Sequence, residues 1–120
     1  MKKFPFFVIL FALPVISIYG EEARWWKGNL HTHSLWSDGD DYPEMIADWY
    51  RSNGYNFLGI SDHNILAEGT RWIHAEKNAG GKVAFKKYLE KFGPEWVDHK
   101  TEKNIPKVRL KTFSEYKEKM

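Results

Sequence analysis

Two strand-like segments of this chain each end directly in a histidine-containing polar motif, and a helical pattern separates them. The first segment ends at His31-Thr32-His33, and the second, Tyr55 to Ile60, ends at Ser61-Asp62-His63. A strand, a helix and a second strand in this order form a βαβ unit, in which the two strands run parallel. Because the carboxyl ends of parallel strands meet at one edge of the sheet, the pattern predicts that the two histidine motifs lie side by side.

The segment between these motifs carries the signals of a loop followed by a helix. Ser, Asp and Gly are frequent in residues 34–42 and predict a loop. Asp41 with Glu44 predicts a capping box, and Pro43 suits the first turn of a helix. Apolar residues then recur at helical spacing, and Gly54 suits a left-handed helix stop.

Beyond residue 64 the sequence favours helices. Residues 67–78 predict a short helix, and residues 82–92 predict a longer one with an apolar face, ended by Gly93-Pro94. Residues 98–110 are polar and rich in lysine, without a clear period. Residues 112–119 predict a terminal helix.

The composition excludes several kinds of site. The chain contains no cysteine, which excludes a disulfide framework, a thiolate zinc site and a lipoprotein anchor. The net charge of +2 is too small to indicate a nucleic-acid partner. Basic residues are in excess in residues 74–120, where they alternate with glutamates as on a solvated helix surface. Six Trp, six Tyr and eight Phe residues favour a packed core.

The first 20 residues have the organisation of a secretory signal peptide. Lys2 and Lys3 precede an apolar run from Phe4 to Tyr19, after which the sequence becomes polar. The run is interrupted by prolines and is short for a spanning helix, which needs about 20 residues. We therefore predict a signal peptide over residues 1–20 and a domain from residue 24 that is exported, either periplasmic or secreted. The alternative is an uncleaved N-terminal anchor, beyond which no stable membrane insertion is expected.

Four side chains form a candidate metal site: His31, His33, Asp38 and His63. Two histidines separated by one residue share a face of a strand and can chelate one ion. Imidazole and carboxylate ligands suit zinc, iron or manganese. Asp38 could instead serve only as a turn residue before Gly39, since Asp-Gly favours turns. Asp62 is expected either to bind the ion or to orient an imidazole.

Three motifs between Gly28 and Asn64 carry a resemblance to a known family: NLHTHSLWSDG, a Pro-Glu helix start, and LGISDHN. Their order and spacing resemble the opening of the polymerase and histidinol phosphatase (PHP) family. The resemblance implies an α/β fold, a distorted (β/α)7 barrel, with two or three divalent metal ions that hydrolyse phosphoesters. By this resemblance His31 and His33 hold one metal ion, and Asp38 and His63 contribute to a second.

The family pattern continues with a metal-bridging Glu, further histidines and an Asp-x-His motif, and no clear counterpart follows Asn64. We therefore expect residues 24–120 to be the N-terminal portion of a PHP-like hydrolase domain, incomplete by itself. The general acid or base is expected outside this sequence, so the catalytic residues stay unassigned and the 120-residue chain alone is expected to be inactive.

The expected function is that of an exported metal-dependent phosphoesterase, which hydrolyses a small phosphomonoester or phosphodiester with metal-activated water. A non-catalytic module that binds a metal or a phosphate ligand, from a truncated or decayed PHP domain, is the alternative. A third possibility is that the exported piece does not fold alone, because the first βα units of a barrel leave strand edges open.

Overall fold

The computed structural model describes residues 23–120, so the predicted signal peptide lies outside the described residues. The described elements, in chain order, are β1 (Gly28–Thr32), α1 (Pro43–Ser52), β2 (Phe57–Ile60), β3 (Arg71–His74), α2 (Gly81–Phe92), β4 (His99–Glu102), β5 (Ile105–Leu110) and α3 (Phe113–Lys119). Within residues 23–120, no helix has both the length and the apolar character that crossing a membrane requires.

The first three elements form the βαβ unit that the sequence predicts. β1 and β2 pair in parallel, with Gly28 opposite Phe57 and Thr32 opposite Ile60. The Phe57 ring lies directly over Gly28, where a β-carbon would displace it. The carboxyl ends of both strands therefore meet at one edge.

The predicted capping box at the start of α1 is wrong. Tyr42 is the N-cap residue and makes no side-chain cap, while the Asp41 carboxylate accepts a hydrogen bond from the Tyr42 amide at 2.8 Å. Glu44 points into the core instead of toward the helix end. Its Oε1 accepts hydrogen bonds from the Tyr88 hydroxyl at 2.7 Å and from the Trp96 indole at 3.0 Å.

The second half of the chain contains an antiparallel sheet that the sequence did not predict. The helix predicted over residues 67–78 is wrong, because β3 occupies its centre and pairs with β5. The lysine-rich stretch forms the hairpin of β4 and β5, and β5 lies between β3 and β4. Lys103 and Asn104 turn this hairpin with φ values of 51° and 62°, as a two-residue turn requires.

The core joins the loop after β1 to the second sheet. Its fully buried side chains include Trp36 and Tyr42 from this loop, Tyr88 from α2, and Val108 and Leu110 from β5. The Trp36 indole donates a hydrogen bond to the carbonyl of Lys111 at 2.9 Å. The rings of Tyr42 and Tyr88 stack with centroids 4.0 Å apart. The loop that follows the first histidine motif is thus packed against the second sheet and α2.

The two remaining helix predictions are confirmed, with α2 over Gly81–Phe92 and α3 over Phe113–Lys119. A capping box does exist in this chain, at the start of α3, where Thr112 and Glu115 bond each other's backbone amides. The complete barrel stays a prediction, since residues 23–120 comprise one βαβ unit and one antiparallel sheet.

Candidate metal centre

Three of the four predicted ligands converge at the carboxyl edge of the parallel strands. His33 Nδ1 lies 2.8 Å from Asp38 Oδ1, and His63 Nε2 lies 3.7 Å from Asp38 Oδ2. One ligand atom from each of these residues falls within 4.8 Å of the other two. The imidazole rings of His33 and His63 are 4.2 Å apart between centroids. We call these three residues the ligand cluster.

His31 lies beside the ligand cluster but not within it. Its ring centroid is 4.6 Å from that of His33, and its Nδ1 lies 3.0 Å from the Ser61 hydroxyl oxygen. The structure therefore brings all four predicted residues to one edge of the sheet. Only three of them present ligand atoms around a common point among the described residues.

Asp62 positions the loop that carries Asp38. Its carboxylate accepts hydrogen bonds from the amide and hydroxyl of Ser34, at 2.8 and 2.7 Å. It also accepts hydrogen bonds from the amide and hydroxyl of Ser37, at 3.1 and 2.6 Å. Within residues 23–120 the hydrogen bonds of the Asp62 carboxylate are to these two serines, and the expectation that Asp62 binds an ion or orients an imidazole stays a prediction. The carboxylate fixes the loop after β1 to the end of β2.

Asp38 is a turn residue, as one of the two predicted alternatives has it, and it also faces the imidazoles of the other candidate ligands. It lies in a tight loop in which the Gly39 amide donates to the Ser34 carbonyl at 2.9 Å. A β-carbon at Gly39 would collide with the backbone of His33, so the loop requires glycine there. The same turn directs both Asp38 oxygens toward the imidazoles of the ligand cluster.

The surroundings of Asp38 favour its charged form. Slight desolvation acts to raise the pKa of Asp38, but the Ser37 hydroxyl and the neighbouring His33 and His63 outweigh it and hold that pKa below its ordinary value. The carboxylate is exposed, as is His63, so the ligand cluster is open to solvent along one side. A groove of about 370 Å³ runs past it.

The second ring nitrogen of His33, Nε2, indicates whether these residues fit a cation. His33 Nε2 is buried and has no hydrogen-bond partner within residues 23–120. If Nδ1 carries the proton and donates it to Asp38, then Nε2 holds a lone pair with nothing to bind. A buried imidazole nitrogen with a free lone pair is the form in which histidine binds a metal ion, and the contact between Nδ1 and Asp38 would orient the ring for it.

Sequence reasoning missed the three serines that support this centre. Ser34 and Ser37 hold Asp62, and Ser61 contacts His31. A signal existed for two of them, because Ser37-Asp38 and Ser61-Asp62 repeat the same dipeptide in the two motifs. Serine side chains commonly bond nearby carboxylates and backbone amides in loops of this kind.

Comparisons with known proteins give one partial similarity. The chain is 35% identical over 51 residues to the DNA polymerase/3'-5' exonuclease PolX of Bacillus subtilis (strain 168). The match covers 42% of this chain and 9% of the length of that protein. No protein-family model matches the chain. No solved structure matches it. The similarity to PolX is consistent, over this limited length, with the resemblance that the histidine motifs carry.

Proposed function

We propose that this chain is the N-terminal part of an exported, metal-dependent phosphoesterase of the PHP type. The observation that carries the proposal is the convergence of His33, Asp38 and His63 around one point, with a buried His33 nitrogen that lacks a partner within residues 23–120. The motifs that supply these residues are those that resemble the PHP family. The partial relative is named as an exonuclease, an activity that breaks phosphodiester bonds.

The geometry supports the following roles for the chain's own residues. His33, Asp38 and His63 would hold a divalent ion, and His31 would extend the site from the same edge. When bound, zinc, manganese or iron ions, two or three in the complete site, would supply Lewis acidity toward a phosphoryl oxygen and would lower the pKa of a bound water toward about 7. Asp62 keeps the loop of Asp38 in place while substrate enters along the open groove.

The predicted signal peptide restricts the classes of substrate that the domain could meet. DNA proofreading and histidine biosynthesis are cytoplasmic tasks, whereas a signal peptide over residues 1–20 would deliver the domain out of the cytoplasm. A small phosphomonoester or phosphodiester outside the cytoplasmic membrane is therefore the proposed substrate.

The proposal is tested by activity of the full natural protein on p-nitrophenyl phosphate in the presence of Mn²⁺ or Zn²⁺. Replacing His31 and His33 together by alanine is expected to lower activity by more than the roughly 100-fold that loss of an outer partner of a metal ligand can cost. His99→Ala is the matched control, because His99 is exposed on β4. Unchanged activity in the double variant would refute the assignment.

A second candidate function is a non-catalytic module that binds one metal ion. It is favoured by one observation, that residues 23–120 bring together a single group of three ligand residues. Calorimetric titration of the full natural protein with Mn²⁺ separates the two functions. One weak site without turnover would favour the module, and two or more sites with turnover would favour the enzyme.

A further inference from the structure

A cavity of about 580 Å³ opens directly beside the ligand cluster. Thr32 and His33 line both this cavity and the groove that runs past Asp38. The cavity extends from the end of β1 into the space between α1 and α2. Its volume lies within the roughly 300–1,000 Å³ typical of small-molecule sites.

The wall that α1 contributes includes an apolar strip with a large aromatic side chain, beside the polar Asp48 and Ser52. Met45, Ile46 and Trp49 line the cavity along this helix. Trp49 keeps 55% of its surface exposed although it lies in an ordered helix. Its own aromatic contacts are to Tyr50 and Tyr55, with ring centroids 5.1 and 6.2 Å away. A half-exposed indole in a concave site is suited to stack on a planar group.

The charged residues of the cavity argue against a polyanionic ligand. Asp40, Asp41 and Asp48 line it together with Lys87 and Lys91. Lys91 Nζ lies 2.5 Å from Asp48 Oδ2, so that amine is already neutralised by a carboxylate. With more carboxylates than amines, the cavity would repel a second phosphate or a nucleic-acid backbone.

We propose that the cavity binds the alcohol part of the substrate, and that this part is a planar aromatic group stacked on Trp49. The inference rests on the proposed function, since it assumes that the phosphoryl group sits at the ligand cluster. The proposed substrate class is an aryl phosphoester with a single phosphoryl group. His33 lines both the cavity and the groove at the ligand cluster. One molecule could therefore place its phosphoryl group at the ligand cluster and its ring between the helices.

The test compares two non-hydrolysable probes, phenylphosphonate and methylphosphonate, on the full chain with and without Mn²⁺. Binding is measured by calorimetry and by the indole NMR signal of Trp49. Phenylphosphonate is expected to bind about tenfold more tightly, as one favourable aromatic stacking contact allows. The preference is expected to disappear in Trp49→Ala and to persist in Trp49→Phe. Trp25→Ala is the matched control, because Trp25 is fully exposed outside the cavity.

Equal affinity for the two probes, or a preference that survives in Trp49→Ala, would overturn the inference. The two affinities measured with Mn²⁺ judge the cavity separately from the ligand cluster, because the probes share the phosphonate group and differ in the ring that Trp49 would contact. Without Mn²⁺ both probes are expected to bind more weakly. Failure of Mn²⁺ to bind, or binding that His33→Ala leaves unchanged, would instead contradict the proposed function.

Discussion

Glu44 is a carboxyl group with no surface exposed to solvent. One of its oxygens accepts hydrogen bonds from Tyr88 and Trp96, and the other has no partner within residues 23–120. Burial raises the pKa of Glu44, and the hydrogen bonds and the nearby Lys111 offset this only in part. The sequence predicted that the Glu44 side chain caps the start of α1, but in the structure it makes polar contacts inside the core.

The titration of Glu44 predicts a pH-dependent effect of Glu44→Gln. The folded protein holds this proton to higher pH than the unfolded chain, whose carboxyl has a pKa near 4.5. The stability that Glu44 contributes is therefore complete below pH 4.5 and decreases as pH rises toward the folded-state pKa. Glutamine does not titrate, so the free energy of unfolding of the variant should gain on that of the wild type by about 1.4 kcal/mol per pH unit over this window.

Urea denaturation between pH 4.5 and pH 8 measures this difference. Glu118→Gln is the control, because Glu118 is exposed and its replacement should leave the difference near zero throughout. A Glu44→Gln difference that stays constant with pH would show that the buried carboxyl does not titrate differently on folding.

At the scale of elements, the loop between β1 and α1 is held from two sides. Asp62 holds it from the end of β2 through Ser34 and Ser37, and Trp36 anchors it to the second sheet through the Lys111 carbonyl. Because Asp38 lies in this loop, the position of this candidate ligand depends on contacts made by residues outside the ligand cluster.

Asp62→Asn tests the hydrogen bonds by which Asp62, at the end of β2, fixes the loop. The amide keeps the shape of the side chain but loses the charge and places a donor against the serine donors, so we expect a loss of about 3 kcal/mol in the free energy of unfolding. Thermal and urea denaturation measure it. Asp40→Asn is the matched control, since Asp40 is exposed in the same loop, and should change stability by no more than about 0.5 kcal/mol. Equal stability of the two variants would contradict the role given to Asp62.

The elements that the sequence predicted correctly are those whose signals are local. Helical spacing and Gly54 define α1, and the apolar run ending at Ile60 defines β2. β3 could not be recognised in this way, because its partner β5 begins more than 30 residues later and four residues carry little period of their own. The β4–β5 turn uses Lys103-Asn104, a weaker signal than Asn-Gly.

The same distinction applies to the candidate site. The approach of His33, Asp38 and His63 could be predicted, because parallel strands bring their ends together whatever the details of packing. The role of Asp62 could not, because it depends on which donors the folded loop presents. The cavity beside Trp49 depends on the placement of α2 against α1, which no motif of the sequence encodes.

At the scale of the whole molecule, the candidate metal centre and the core of the described residues lie on different sheets. The candidate centre lies on the two-stranded sheet of β1 and β2, of which each strand has one partner among the described residues. The buried core lies against the three-stranded sheet, where β5 has a partner on both sides and buries Val108 and Leu110.

This division predicts unequal protection from hydrogen exchange. Amides of β5 should exchange more slowly than those of β1, because β5 is paired on both sides and packed against the core. Hydrogen–deuterium exchange followed by mass spectrometry on the full chain measures the two segments together, and β4, an exposed edge strand, serves as an internal reference. Slower exchange in β1 than in β5 would show that the parallel sheet is the more stable part.

The serine contacts of Asp62 also affect the net charge that the ligand cluster would have with a metal ion bound. With Asp62 committed to Ser34 and Ser37, Asp38 is the single carboxylate of the ligand cluster, and the imidazoles that join it are neutral when they bind a metal. A divalent ion held there would keep one unit of positive charge. Such a centre would attract an incoming dianion and would hold a dianionic product more tightly than a monoanionic one, so turnover would favour esters whose products leave with less negative charge.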